Sequence, residues 1–275
     1  MTALDAASLA LARAELTSSV TITTASDLSD LRLAQRIFDE VWPPTSGEGT
    51  QIQSNLLRAL VHAGGCANLA WADGQPVGAA LAVVGRERDA ESGHWHTHLH
   101  SHMAGVVEGY RDRSIGTALK MHQRWWALNA DIDTIVWTFD PLVRRNAWLN
   151  VIKLGADVEG YEPDFYGDMN DGINTGDRTD RVFARWRLDS DIAREAGEGR
   201  REPLDVDELR KQDRDVITIA TPLDIVTVRA ESLEQALDLR MRMREEFLTA
   251  LANNFSVIGV DAMGSYVLER NHHVD

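Results

Sequence analysis

Five of the chain's nine histidines stand at every second position from His94 to His102, in the stretch GHWHTHLHSHMAGV. An extended strand points alternate side chains to opposite faces, so this spacing puts all five imidazoles on one face. Three chemistries fit such a face. Two histidines at i and i+2 can share a zinc or nickel ion, although a catalytic zinc also wants a third protein ligand that the spacing does not identify. A single imidazole titrates near neutrality and can serve as a general base. The third reading is packing alone.

A second stretch comes directly after it. YRDRSIGTAL, from Tyr110 to Leu119, has the pattern of a strand-to-helix turn with Gly116 at the helix entry and Arg111 and Arg113 beside it. Unpaired N–H groups and a partial positive charge at a helix N-terminus bind phosphate, and arginine adds charge-assisted hydrogen bonds. Ordinary strand-to-helix turns also contain one glycine, so the turn gains meaning only from its surroundings. The single cysteine, Cys66, reads as a small buried apolar residue before it reads as a nucleophile.

The elements that must position these stretches can be read from periodicity. VTITTA has strand character, and DLSDLRLAQRIFDEVW is an amphipathic helix that stops at Pro43 and Pro44. QIQSNLLRALVHAGG is a second helix, and CANLAWADGQPVGAALAVVGRE a hairpin that turns at Asp73-Gly74. The histidine strand then leads through the turn into a helix whose expected core stripe is Ile115, Ala118, Leu119, His122, Trp125 and Trp126. A buried strand ending in TFDPL comes next, which predicts two parallel neighbours joined by the helix. VRRNAWLNVIKLGAD is a further helix, and TDRVFARWRLD alternates like a late strand.

From Ser190 to Arg214 the chain is charged and poor in apolar residues, as a linker is. Beyond it, DVITIATPLDIVTVRA is strand-like, Ser232 and Gln235 open a helix running to Ala252, and FSVIGVDAMGSYVLER returns to strand. The expected division is therefore residues 1–189, a linker at 190–214, and a β-α-β extension at 215–275. A unit of some 60 residues has a small core of its own, so it is expected to dock on the first domain or on a second subunit, which allows a homodimer.

Composition excludes several functions. The 275 residues are 44% hydrophobic, and 28 basic against 43 acidic residues leave a net charge of −15. That charge repels nucleic acid and anionic membranes. No run approaches the ~20 apolar residues of a membrane span, and Asp5, Arg13 and Glu15 make the N-terminus an amphipathic helix rather than a signal peptide. One cysteine excludes an internal disulfide and fits a reducing cytoplasm.

The order of elements, with the loop Arg111-Asp112-Arg113-Ser114-Ile115-Gly116, resembles the GNAT acyltransferase superfamily. Its members hold an acyl-CoA pyrophosphate on a loop Gln/Arg-x-x-Gly-x-Gly/Ala. LHSHMAGV, TFDPL, RNAWLNVIKLGA, YGDMND and TDRVFARW together look like a branch in which some members are placed with amino-acid N-succinyltransferases. The likeness covers about Thr21 to Leu188. It implies a mixed α/β GNAT fold, with a central sheet that splays between its fourth and fifth strands, flanking helices and the C-terminal extension.

The resemblance also implies roles. Arg111, Asp112, Arg113, Ser114, Ile115, Gly116 and Thr117 would bind the pyrophosphate, and the backbone of Ala104, Gly105 and Val106 the pantetheine. Ser114 stands where the first glycine is usual, which is tolerable if that position keeps ordinary helical dihedrals. His100 and His102, just before the pantetheine positions, are candidate bases, with Glu108 a second choice. Asp140, Asn146, Asn150 and Arg181 are candidate acceptor-binding residues, Asp140 competing with a helix-cap role and Arg181 with an ion pair to Asp180. Counting back from Gly155 puts Val151 at the position of the family's tyrosine acid, so the thiolate takes its proton from water or from Tyr161 or Tyr166.

The expectation is thus a cytoplasmic N-acyltransferase. It would move an acetyl or succinyl group from acetyl-CoA, succinyl-CoA or another acyl-CoA to a small amine such as an amino acid, with no metal. The alternatives are a non-catalytic acyl-CoA sensor and a metal-binding protein.

Overall fold

The computed structural model describes residues 1–44, 49–89, 92–167 and 177–271. These fall into two units, one holding residues 1–137 and 186–198, the other 138–167, 177–185 and 199–271. Residues 168–171 of the YGDMND stretch lie outside the described residues.

The first unit runs α1 (Ala3–Ser18), β1 (Thr21–Thr24), α2 (Leu28–Val41), α3 (Ser54–His62), β2 (Cys66–Ala72), β3 (Gln75–Arg88), β4 (Trp95–Val106), α4 (Ile115–Asn129) and β5 (Thr134–Phe139), whose last two residues belong to the second unit. Its strands lie in the order β1-β2-β3-β4-β5, antiparallel except for the last pair. The β2–β3 hairpin turns at Asp73 and Gly74, at φ 51° and 74°, the left-handed pair that a two-residue turn with the right twist requires.

Helices cover both faces of this sheet, which is why β2 is buried almost throughout. Leu31, Ala34, Ile37, Phe38 and Val41 of α2 pack on Ala67, Leu69, Ala79 and Leu81. The alternate residues of β2 and β3 meet α4: Asn68 Nδ2 donates to Leu119 O at 3.0 Å, and a Cβ at Gly78 would lie 3.3 Å from Leu119 Cδ1. α4 is itself enclosed, because α1 packs against it as well. Ile115, Ala118, Leu119 and His122 are buried as the stripe predicts, but Trp125 and Trp126 are half-buried while Lys120, Gln123 and Arg124 are buried. A helix covered on two sides has too narrow a solvent face to keep every long polar side chain in water.

Beyond β5 the chain forms α5 (Arg144–Trp148), continued by a π-helical turn (Leu149–Lys153), then β6 (Asp157–Glu162), β7 (Arg181–Arg187) and α6 (Asp191–Gly197). α7 (Val206–Lys211), β8 (Val216–Ile219), α8 (Ile225–Glu231), α9 (Leu233–Ala252), β9 (Phe255–Val260) and β10 (Tyr266–Arg270) complete it. Most of β7 belongs to the second unit, and α6 to the first. In the second unit β6 pairs antiparallel with β7, and β8-β10-β9 form an antiparallel sheet. Two segments differ from the sequence expectation. The β-branched run Ile225–Val228 reads as strand but is helical, because the Asp224 carboxylate accepts from Val226 N and Thr227 N and caps a helix start. The charged stretch after β7 contains α6 and α7, capped by Ser190 and Asp205.

The second unit is stitched by buried ions. Arg240 on α9 is 0% exposed and bonds Asp140 through Nη1 at 2.6 Å and Nη2 at 2.8 Å, with Nη2 also 2.8 Å from Asp177. Arg229 Nη2 lies 2.7 Å from Asp177 and 3.3 Å from Asp140. One turn along α9, Arg244 bonds Asp180, which also accepts the Tyr161 hydroxyl proton at 2.5 Å. Burial works to raise the Asp140 pKa, but the Arg240 hydrogen bonds and charge outweigh it and hold the carboxylate below its ordinary value.

Removing one partner from such a cluster leaves charge stranded in a dry interior, which costs about 3–5 kcal/mol. Arg240→Met is expected to lower the unfolding free energy by roughly that amount in urea titrations. The lowered Asp140 pKa gives a stabilisation that is complete above the unfolded carboxylate value, about 4, and lost as pH falls through the depressed native value. Acid titration of Arg240→Met should therefore show unfolding that begins at higher pH than in the wild type.

Candidate functional site

The histidine strand is held very differently on its two edges. Against β3, β4 is paired along its whole length, from Trp95↔Arg88 to Val106↔Gly78. Against β5 the register comprises Leu99↔Ile135 and His100↔Val136. Residues 101–106 of β4 therefore pass beyond the registered β5 pairs, which is the splay expected between the fourth and fifth strands. A strand edge of this kind offers main-chain donors and acceptors to an extended ligand.

The five imidazoles do not form one uniform ladder. Met103 pairs with Leu81 and Ser101 with Ala82, so His102 is an extra residue inserted as a bulge. The insertion reverses the facing of the residues after it. Ser101 points to α4, bonding Gln123, whereas Met103, two residues on, packs against the core cluster that holds the buried residues of α2. His94 and His96 are exposed, His98 is buried, His100 half-buried and His102 exposed. The His100 and His102 rings come within 6.1 Å of each other, centroid to centroid. Burial, helped by the neighbouring His102, His98 and Lys120, pushes the His100 imidazole down to about 4, and burial also lowers His102. His100 is thus a neutral hydrogen-bonding group at physiological pH, and His102 the more basic of the pair. Among the described residues no three histidine, cysteine or acidic side chains gather as a metal site.

At the end of β4, Ala104 is exposed, Gly105 buried and Val106 half-buried. Packing by itself accounts for Gly105: a Cβ there would lie 3.0 Å from Val41 and 3.1 Å from Trp42. Glu108 is exposed in a short 3₁₀ turn, Glu108–Tyr110, that leads into the arginine loop.

In that loop Asp112 and Ser114 both have φ 62°, the left-handed region, and Ser114 is the N-cap of α4 without a side-chain cap bond. The serine does not keep helical dihedrals; it takes the conformation for which glycine is the usual residue. The consequence is a run of free donors. Thr117 N and Ala118 N reach Ser114 O, while the main-chain N–H groups from Asp112 to Gly116 find no acceptor among the described residues. Residues 111–114 are exposed, with the Arg113 guanidinium 4.8 Å from the Tyr110 ring centroid. Alternating backbone conformations with exposed N–H groups make an anion-binding nest.

The first unit also holds a group that sequence reasoning passed over. Lys120, one turn into α4, is 5% exposed, and its Nζ donates to Ser101 Oγ at 2.7 Å and lies 3.8 Å from the Trp137 ring centroid. Ser101 Oγ in turn donates to Gln123 Oε1 at 2.9 Å. Burial pushes the Lys120 ammonium down to about 7. A signal existed, in that Lys120 is one of only three lysines and stands beside Leu119 and Met121 in a helix expected to be packed.

The acceptor-side candidates lie in the second unit. Asp140 carries the Arg240 and Arg229 contacts and also accepts from Leu142 N at 2.9 Å, the turn-capping role. Asn146 is half-buried and Asn150 buried. Arg181 donates to Asp180 O at 2.9 Å and sits 5.2 Å over the Tyr166 ring, while the Asp180 carboxylate pairs with Arg244. Tyr161 is a poor acid here, since burial and the Asp180 bond raise its pKa.

No family model and no curated protein sequence matches the chain. Solved structures of acetyltransferases resemble part of it. The ribosomal-protein-S18-alanine N-acetyltransferase of Escherichia coli aligns at TM-score 0.47 and 13% identity, over 62% of this chain and 95% of that one. A GNAT superfamily phosphinothricin acetyltransferase from Sinorhizobium meliloti, in complex with AcCoA, gives 0.47 and 18% over 60% and 86%. An N-acetyltransferase from Staphylococcus aureus Mu50 gives 0.44 and 16% over 62% and 97%.

The left-handed conformation costs a non-glycine residue about 1–2 kcal/mol, part of which glycine returns through its more flexible unfolded state. Ser114→Gly should therefore raise stability by about 0.5–1 kcal/mol, and Ser114→Val should lower it, both measured by denaturant melts.

Proposed function

We propose that the protein is an acyl-CoA-dependent N-acyltransferase acting on a small amine, with an amino acid as the acceptor class and acetyl or succinyl as the acyl group. One observation carries the reading: main-chain N–H groups from Asp112 to Gly116 without acceptors among the described residues, shortly after a strand whose residues 101–106 run beyond their registered β5 neighbours. A phosphate-bearing ligand with an extended amide arm satisfies both features together.

In this reading the loop from Arg111 to Thr117 holds the pyrophosphate, and the backbone of Ala104, Gly105 and Val106 the pantetheine amides. Acyl-CoA supplies an acyl group activated as a thioester. His102 takes a proton from the acceptor ammonium, because an amine needs a free lone pair to attack. His100, held neutral beside it, orients the approaching amine, and Glu108 is the alternate proton acceptor. A main-chain N–H near Ala104 polarises the acyl carbonyl, and as the C–N bond forms the thioester C–S bond breaks, the CoA thiolate leaving and taking the amine's second proton through water.

CoA at a hundredfold excess over its dissociation constant should stabilise the protein by about 2.7 kcal/mol, seen as a rise in melting temperature. Gly116→Asp, which puts a carboxylate among the free N–H groups, should abolish that rise. His102→Ala should keep it while lowering kcat by about 10²–10⁴ in a mass-spectrometric screen of acetyl-, propionyl- and succinyl-CoA against the amino acids. A chain whose melting temperature ignores CoA and every acyl-CoA would refute the proposal.

A further inference from the structure

Ser101 and Trp137 are the first residues beyond the last registered β4–β5 pair, His100↔Val136. Lys120 reaches both, through a hydrogen bond to one and the ring face of the other. An ammonium has three donors, and these two neighbours take up two of them. Beside it the Gln123 amide gives its oxygen to Ser101, and its Nε2, in a side chain 0% exposed, has no partner among the described residues. The Trp186 ring meets Trp137 edge-on, 6.3 Å between centroids, and Trp186 Nε1 is likewise buried without an acceptor among the described residues.

The vicinity is one-sided in charge as well as in hydrogen bonding. β4 contributes His98, His100 and His102, and residues 134–137 of β5 contribute no ionisable group. Next along α4, Arg124 donates to Leu188 O and Ala193 O. From α1, Glu15 accepts from Ile22 N and Arg13 bonds Glu198 O. Lys120 forms no ion pair among the described residues. A buried cation without a counter-ion is among the costliest features a core can carry. Here two further buried donors, Gln123 Nε2 and Trp186 Nε1, also lack acceptors among the described residues.

We infer that Lys120, Ser101 and Gln123 form a buried carboxylate-binding site, entered where β4 and β5 part. A carboxylate is small and planar, and its two oxygens accept several hydrogen bonds, so it satisfies the spare Lys120 donor and the Gln123 amide at once. Its charge compensates the ammonium and favours the protonated lysine. Binding above the free lysine's pKa, which burial puts at about 7, must therefore take up a proton. The carboxylate has two sources: a free short-chain acid, or the distal carboxylate of a dicarboxylic acyl group on CoA. The site stands on the Lys120 surroundings alone and does not require that CoA binds.

The test tracks the Lys120 side-chain NMR resonance in the full-length protein during titration with acetate, succinate, acetyl-CoA and succinyl-CoA, with chloride and inorganic phosphate as controls. Expected are a free Lys120 titrating near 7, an upward shift of that midpoint with carboxylates, and a carboxylate affinity that falls about tenfold per pH unit above the free value. Succinate binding without succinyl-CoA binding would identify the free acid as ligand and count against acyl transfer. Succinyl-CoA perturbing Lys120 where acetyl-CoA does not would identify the acyl source.

Lys120→Met is expected to abolish carboxylate binding while raising the melting temperature of the ligand-free protein, since an uncompensated buried amine is replaced by an apolar side chain of similar length. A merely structural lysine would give the opposite, a lower melting temperature. The inference falls if the wild-type resonance ignores every carboxylate, if chloride or phosphate moves it equally, or if Lys120→Met binds succinate as the wild type does.

Discussion

The parting of β4 from β5 after His100↔Val136 sets the geometry on which the rest of the candidate site in the first unit depends. In a parallel sheet a fifth strand normally continues to cover its neighbour's edge, because unpaired main-chain groups in an interior are costly. Here β4 runs on for six more residues supported by β3 alone, and the inserted His102 re-aims its side chains within that stretch. The geometry leaves a strand edge without registered β5 pairs, which ends at Val106 and leads through the arginine loop to α4. The residues proposed for ligand binding in this unit stand on that edge, on the turn it leads into, or on the first turns of α4.

The sequence made the succession strand, turn and helix legible because hydrophobic periodicity and Gly116 are local signals, and the Asp73-Gly74 hairpin was legible for the same reason. The bulge was not. A period-2 histidine ladder looks unbroken in one dimension, and only the partner strand reveals that Leu81 and Ala82 skip a residue of β4. Ser114 shows the limit from the other side. Serine is a favoured helix cap with extended dihedrals, so its residue type argued for a conformation that the tight turn does not allow.

Long-range pairing was least visible. Nothing near Asp140 in the chain indicates that Arg240, a hundred residues later, will close on it bidentately. TFDPL therefore reads first as a cap, with a substrate contact as its rival. The α8 segment was misread because β-branched residues argue for strand, while the single Asp224 cap that overrules them is a weak signal in isolation.

The two units treat buried charge in opposite ways, and the contrast separates structure from function. Arg240 and Arg229 face Asp140 and Asp177, and Arg244 faces Asp180, so each cation has an anion and the hydrogen bonds are largely satisfied. Such a cluster can hold α9 in one arrangement without needing anything from outside. Lys120 has a hydroxyl and an aromatic face instead, beside an amide with its donors unspent. Replacing that lysine with an apolar residue would make a better core, so the fold alone gives no reason to keep it. An amine at the point where two strands separate, with no anion beside it among the described residues, is better explained by a ligand that brings one.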